Sequence, residues 1–192
     1  MLFKKLHRKL ESIATKSRIL ILFLLAHTVL LIMMLFTFPK INAKIGTQAF
    51  DLKTFGYSQT DAQVMLQNLD EPTIDFYIFP QLFLLDVLYP ILFATFLSTL
   101  IIRLSNLIWD KPTSFYSNLF ILPFIAMCAD YLENIMISIM ITNPTEVMPA
   151  IIKASSFITQ TKSVFTTISW IIIVILFVVW LKKRTQLAKC KR

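Results

Sequence analysis

Four long runs of apolar residues dominate this chain and restrict what it can fold into. They cover about residues 19–38, 78–102, 115–141 and 156–181. Each run has about 20 residues or more, the length that an α-helix needs to cross the hydrocarbon core of a bilayer at ~1.5 Å per residue. The sequence therefore predicts an all-α, polytopic membrane protein built as a bundle of four transmembrane helices.

The chain length leaves no room for a separate soluble domain. Four spans use roughly 80 of the 192 residues at ~20 residues each. The remainder fits two tails and one sizeable outer loop at 39–77. Hydrophobic residues make up 56% of the chain, above the ~45–50% of a soluble domain. We expect one membrane domain covering residues 1–192.

The first apolar run is also compatible with a signal peptide. A signal peptide normally has an apolar core of about 7–15 residues, followed by a small-residue cleavage site. The run at 19–38 is longer and ends at Phe38 and Pro39. We expect a retained transmembrane helix.

The distribution of positive charge predicts the orientation of the spans. The two tails hold six lysines and arginines each and the connection after the second run holds two, so 14 of the 19 lie on one side. Four lie on the other side, and Lys162 lies within the last run. By the positive-inside rule, both termini are expected in the cytoplasm of a cell-membrane protein. Because the net charge of +8 flanks the spans, it indicates contact with membrane lipids rather than nucleic acid.

Two further helices are expected outside the spans. Ser58 and Asp61 have the spacing of a capping box, with Asp in place of Glu, and Ala62, Met65 and Leu66 follow at helical spacing. This predicts an amphipathic helix near 59–69 in the outer loop, with its apolar face on the bundle or on lipid. The mixed apolar and basic pattern of residues 1–18 predicts a short amphipathic helix on the inner membrane surface.

Ionisable residues within the spans are the candidate functional residues. They are His27 in the first run, Asp86 in the second, Asp130 and Glu133 in the third, and Lys162 in the fourth. Charges at this depth cost about 2.5–3.5 kcal/mol each and usually face inward in pairs. All five lie within roughly 9–17 Å of the outer ends of their helices, at ~1.5 Å per residue. We therefore expect one polar layer.

Helical spacing predicts which neighbours join this layer. Asp130 and Glu133 are three residues apart and share a helix face, which Asn134 extends. In the fourth run, polar residues repeat at heptad spacing, which favours close approach and hydrogen bonding between helices. These residues are Ser155, Thr159, Lys162, Thr166 and Ser169. Tyr89 and His27 are second-rank members of the predicted pocket.

The polar layer has more acids than bases. Three carboxylates face one lysine, so at least one carboxylate would be protonated, hydrated or bound to a cation. This surplus favours a pocket that binds or translocates a small ligand, an ion or a lipid. An intramembrane enzyme that uses a carboxylate as acid or base on a lipid or apolar substrate stays open. A structural or assembly role, in which the charges only fix the helix register, also stays open.

Other chemistry has weaker support in the sequence. No HExxH pattern and no pair of Glu-x-x-His motifs occurs, so a metal site is not predicted, although Asp86, Asp130, Glu133 and His27 have suitable ligand atoms. No cofactor is indicated. Which carboxylate pairs with Lys162 is also open at this stage.

Several short motifs resemble those of a family of small, uncharacterised bacterial membrane proteins with four transmembrane helices. They are Gly56-Tyr57-Ser58 before the loop helix, Asp86-x-x-Tyr89-Pro90, Asp130-Tyr131-x-Glu133-Asn134, and Lys162 in a stretch rich in Ser and Thr. The resemblance covers nearly all of the chain after residue 50. It implies a four-helix fold in a bacterial cytoplasmic membrane, and it implies no activity.

Overall fold

The computed structural model of the chain describes residues 2–109, 116 and 118–190. Every regular element in these residues is helical. Four helical segments are long and apolar enough to cross a membrane, and we refer to them as the first to fourth spans: Lys16–Ile45, Glu71–Ile108, Leu119–Thr142 and Pro149–Gln186. The predicted fold class, an all-α bundle of four membrane helices, is confirmed.

The first span follows a short N-terminal helix and continues past the predicted end at residue 38. Helix α1 covers Leu2–Ile13 and α2 covers Lys16–Ile32. A π-helical segment, Met33–Thr37, joins α2 to α3 (Phe38–Ile45). Pro39 does not end the span, because it lies just after the π-helical segment, where the ladder of α-helical hydrogen bonds is already interrupted.

The second span also contains a π-helical segment. Helix α5 covers Glu71–Phe76, and the segment Tyr77–Leu85 leads into α6 (Asp86–Ile108). This segment is π-helical but kinked at Phe79, whose φ of −137° and ψ of 123° are not helical. The span begins before the predicted residue 78, because the side chain of Asp70 caps α5 by accepting a hydrogen bond from the Thr73 N–H group at 3.2 Å.

The third and fourth spans form an antiparallel pair. Helix α7 covers Leu122–Thr142 after a 3-10 turn, Leu119–Ile121. The predicted beginning at residue 115 lies outside the described residues. Helix α8 covers Pro149–Cys190 and is longer than the predicted 156–181 at both ends.

The predicted loop helix is present as α4, Gln59–Gln67. Its capping box is complete, since the Asp61 N–H group donates to the Ser58 hydroxyl at 3.1 Å and the Ser58 N–H group donates to the Asp61 carboxylate at 3.2 Å. Ala62, Met65 and Leu66 are buried in the core formed with the spans. The apolar face of α4 therefore lies on the bundle.

Helix α6 lies at the centre of the bundle, where it packs against α2, α7 and α8. Both chain ends approach its C-terminus, because Arg103 donates to the Ala14 carbonyl oxygen at 2.9 Å and Lys183 donates to that of Ile108 at 2.6 Å. We call this the terminal half of the bundle, and the half that contains α4 the loop half. The buried Leu10 of α1 packs into a core cluster of this half, so α1 contacts the bundle as well as presenting an exposed basic face.

Candidate functional site

Lys162 forms the centre of a buried ion cluster. Its Nζ atom lies 3.1 Å from Asp130 Oδ1 and also contacts Glu133 Oε2. Glu133 is fully buried, and its Oε1 atom accepts a hydrogen bond from the Thr159 hydroxyl at 2.5 Å. Because Asp130 and Glu133 share one face of α7, a single lysine on α8 reaches both. Lys162 therefore pairs with both Asp130 and Glu133, which answers the question that the sequence left open.

Asp86 lies beside this cluster without contacting the lysine directly. It begins α6 directly after the π-helical segment and is 3% exposed. Its backbone carbonyl oxygen accepts a hydrogen bond from Asn134 Nδ2 at 3.1 Å, and its carboxylate interacts electrostatically with Asp130 and Lys162. Its Oδ2 atom has no hydrogen-bond partner in the described part of the chain.

A fourth carboxylate, Asp51, joins the layer, and the sequence analysis missed it. It lies in a short 3-10 turn of the loop, is 8% exposed, and accepts a hydrogen bond from the Tyr77 hydroxyl. Asp86 and Asp130 both interact electrostatically with it. The local signal in the sequence is the pair of apolar residues directly before it, Ala49 and Phe50, which are fully buried in the structure.

These residues adjoin a cavity of about 750 Å³ between the spans. Its polar wall contains five ionisable side chains, and the rest of its wall is mostly apolar. The ionisable residues are Asp51, Asp86, Tyr89, Asp130 and Lys162. This volume lies within the range of about 300–1,000 Å³ that is typical of small-molecule sites, and apolar walls with a few polar groups are typical of them as well.

The predicted site residues do not all lie in the cavity wall. Glu133 and Asn134 lie behind the wall. Glu133 contacts Lys162, and Asn134 donates a hydrogen bond to the backbone carbonyl oxygen of Asp86. His27 lies elsewhere: it is half-buried, its Nδ1 atom is 2.8 Å from the Phe23 carbonyl oxygen, and its ring packs near Phe93 and Phe96. The described contacts of His27 therefore place it in an aromatic cluster rather than in the ion cluster.

The long loop between the first and second spans covers the cavity and is attached to α8, and we call it the roof of the cavity. The Tyr57 N–H group donates to the Ser156 hydroxyl at 2.9 Å, the Tyr57 hydroxyl donates to Ser155 at 2.7 Å, and Gln160 donates to the Phe55 carbonyl oxygen at 3.1 Å. Burial raises the pKa of Tyr57 above its ordinary value, so its hydroxyl stays a hydrogen-bond donor at neutral pH. Asp51, Leu52, Thr54 and Phe55 contribute to the cavity wall on the side of this loop.

Gly56 makes this attachment possible. Its φ is +79°, a conformation that favours glycine, and a Cβ atom there would lie 2.5 Å from Gln160 Nε2 and 2.6 Å from the Ser156 hydroxyl. The close approach of the loop to α8 therefore depends on the absence of a side chain at this position.

The cavity reaches the side of the bundle between the first and fourth spans. Leu30 and Met33 line it from the first span, and Val164 and Ile168 line it from the fourth. Val164 and Ile168 are 53% and 38% exposed, and in a bilayer these exposed surfaces face lipid. Helix α2 packs extensively against α6, and α8 packs extensively against α7 and α6, whereas no comparable packing joins α2 to α8 among the described residues. The gap between them therefore opens toward the membrane.

Among the described residues, no group of three or more His, Cys, Asp and Glu side chains is placed to hold a metal ion. In comparisons with known proteins, no family, no curated protein and no solved structure matches the chain. The function must therefore be argued from the geometry of the cavity.

Proposed function

We propose that this membrane protein binds a small, largely apolar molecule in the cavity, with the polar group of that molecule against the carboxylates and Lys162. The observation that carries the proposal is the position of the ion cluster at the wall of a cavity of about 750 Å³ whose other walls are mostly apolar. A cluster that served only to hold helices together would be expected within close packing, because an empty cavity forfeits dispersion contacts with its lining.

Binding is favoured over translocation, because the polar groups occupy one half of the bundle. Beyond the cavity, the terminal half is packed with apolar residues such as Ile101, Leu104 and Ile173. The buried carboxylates of the described chain all lie in the loop half. A charged substrate would therefore have to cross a dry apolar layer, at a cost of several kcal/mol.

An intramembrane enzyme is the second candidate. It is favoured by Asp86, a buried carboxylate at the cavity wall with one oxygen free of partners, which could exchange a proton with a bound lipid or apolar substrate. An enzyme predicts that Asp86→Asn abolishes turnover while the ligand still binds. The binding function predicts that the same change acts on affinity.

We also propose that the terminal half faces the cytoplasm of a bacterial cell. The support is the excess of lysine and arginine in the two tails, together with the approach of both chain ends to the same end of α6. In this orientation the roofed loop half faces outward, and the cavity is reached from the lipid.

Native mass spectrometry of protein released from its membrane in mild detergent tests the binding function. Wild type is compared with Ala126→Phe, which fills the cavity from α7 without changing a charge, since Ala126 lies in the cavity wall. We expect a co-purifying mass on wild type that is lost in the variant, at equal or higher melting temperature. A bound mass that is retained by Ala126→Phe would show that the ligand lies elsewhere and would overturn the proposal.

A further inference from the structure

The cavity and its surroundings contain more buried carboxyl groups than Lys162 can neutralise. Four buried carboxylates of the described chain belong to the polar layer, and Lys162 contacts two of them, Asp130 and Glu133. Asp51 and Asp86 remain at the cavity wall. The Tyr77 hydroxyl donates a hydrogen bond to Asp51 but supplies no positive charge.

Asp51 and Asp86 are also incompletely hydrogen-bonded. Asp51 Oδ1 and Asp86 Oδ2 are buried and have no partner among the described residues. Glu133 Oε2 differs from them, because it contacts Lys162. A buried carboxylate without a partner costs several kcal/mol, so each such oxygen is a position where a donor stabilises the protein. Both positions belong to the wall of one cavity.

The surroundings restrict what this donor can be. Ca²⁺ and Mg²⁺ take six or more oxygen ligands, and Mg²⁺ usually keeps several water molecules, but most of this wall is hydrocarbon, including Phe93, Leu97 and Pro123. The volume of about 750 Å³ is also far larger than an ion needs. A positively charged nitrogen on an apolar body satisfies both parts of the cavity.

We propose that the cavity binds an organic cation, with its ammonium group against Asp51 and Asp86 and its apolar body against α6, α7 and α8. This inference rests on the proposed binding function and names the class of ligand. Since the cavity opens between the first and fourth spans, such a molecule enters from the bilayer. Two sources share this chemistry: a free lipophilic amine, and a membrane lipid with an ammonium headgroup.

Three compounds with the same compact cage test the charge requirement: adamantylamine, adamantanol and adamantanecarboxylate. Each is titrated calorimetrically at neutral pH against the full-length protein in phosphatidylcholine nanodiscs. We expect the amine to bind at least roughly tenfold more tightly than the alcohol, as a charge-assisted hydrogen bond predicts, and the carboxylate to bind least. Equal affinity of the amine and the alcohol for wild type would overturn the cation inference while leaving the binding function intact.

Matched variants locate the charge that is responsible. Asp86→Asn and Asp51→Asn should each remove most of the preference for the amine, whereas Asp75→Asn, the same change at an exposed carboxylate of α5, should retain it. An unchanged preference in both cavity variants would overturn the assignment. Failure of all three compounds to bind wild type, or unchanged binding to Ala126→Phe, would contradict the proposed binding function itself.

The source of the cation is distinguished by the lipid. Replacing part of the phosphatidylcholine with phosphatidylethanolamine supplies a primary ammonium headgroup with N–H donors, which the quaternary ammonium of phosphatidylcholine lacks. Weaker binding of adamantylamine in these nanodiscs would identify the lipid headgroup as a competing occupant. Unchanged binding would identify a free amine as the ligand.

Discussion

The two halves of the bundle are made from equally apolar runs, but they differ in their irregularities. The loop half contains both π-helical segments, Met33–Thr37 and Tyr77–Leu85, the buried carboxylates and the polar wall of the cavity. The terminal half of the described chain consists mainly of α-helices around apolar residues, with one 3-10 turn, Leu119–Ile121. Apolar runs are therefore sufficient to form membrane spans, whereas the segments that depart from regular α-helix lie in the same half as the candidate site. π-Helical segments are often found at functional sites.

The largest effect is expected when Lys162, the buried positive charge of the loop half, is removed. Lys162→Met leaves Asp130 and Glu133 buried without a counter-charge, so we expect unfolding to become easier by about 3–5 kcal/mol. The measurement is equilibrium unfolding in mixed micelles. Lys153→Met on the same helix is the control, because Lys153 is exposed. Equal stability of the two variants would show that the ion cluster contributes nothing to the fold.

The next effect concerns the roof of the cavity. Gly56→Ala combines an unfavourable φ with contacts to Gln160 and Ser156 that are too short, for which we expect a loss of about 3 kcal/mol. Gly46→Ala is the matched control: its φ is +80°, but the added Cβ atom meets only Asn68 Nδ2 at 4.0 Å. We expect a loss of about 1 kcal/mol there from φ alone. Equal losses in both variants would contradict close attachment of the loop to α8.

A change in the terminal half should alter stability without altering binding. Ile101 is fully buried, and Ile101→Ala should cost about 2 kcal/mol, at the low end for such changes, because lipid is as apolar as the core and mainly packing is lost. Affinity for adamantylamine should equal that of wild type. A comparable loss of affinity would mean that the two halves do not act separately.

A smaller effect is expected from Tyr57 in the roof. Tyr57→Phe removes the hydrogen bond to Ser155, worth about 1 kcal/mol. Because burial raises the pKa of Tyr57 above its ordinary value, its contribution to stability is complete below a pH of about 10 and decreases as the pH rises further. Unfolding measured between neutral and alkaline pH should show this decrease in wild type and a shallower one in Tyr57→Phe. Parallel curves would contradict the buried, neutral state of this tyrosine.

The smallest effect is expected at the surface of the loop half. The hydrogen-bonded ion pair with Lys44, at 2.6 Å, lowers the pKa of Asp70 to about 2. The stability from this pair is present above a pH of about 4 and lost as the pH falls toward 2. Because both side chains are exposed, the change should be small. Asp70→Asn should remove this part of the acid dependence of unfolding, and Asp75→Asn should not.

The spans, the loop helix and part of the polar layer could be predicted from the sequence. Run length fixes the spans, and the spacing of Ser58 and Asp61 fixes the start of α4. The depth of Asp130, Glu133 and Lys162 along their helices, together with the cost of burying charge, predicts their association. These features depend on local periodicity, which a sequence displays directly.

Two features depend on tertiary structure and were not predictable in this way. Asp51 is buried because the loop folds back over the bundle, and nothing in helical spacing reports this. His27 lies at the expected depth but contacts aromatic residues of α6, since depth along a helix does not specify which face points toward the other polar groups. The extensions of the spans also escaped prediction, because π-helical segments and capped helix ends allow helices to include residues before or after a proline.

Cysteine accessibility compares the two halves most directly. In a background without Cys128 and Cys190, Ser163→Cys places a thiol in the cavity wall, and Ser105→Cys places one in the terminal half, where Ser105 is 2% exposed. Each is exposed to a small, membrane-permeable thiol reagent in nanodiscs. We predict that Cys at position 163 is modified in the folded protein and protected by adamantylamine, while Cys at position 105 reacts only after unfolding. Equal reactivity at both positions, without protection, would contradict a ligand cavity confined to the loop half.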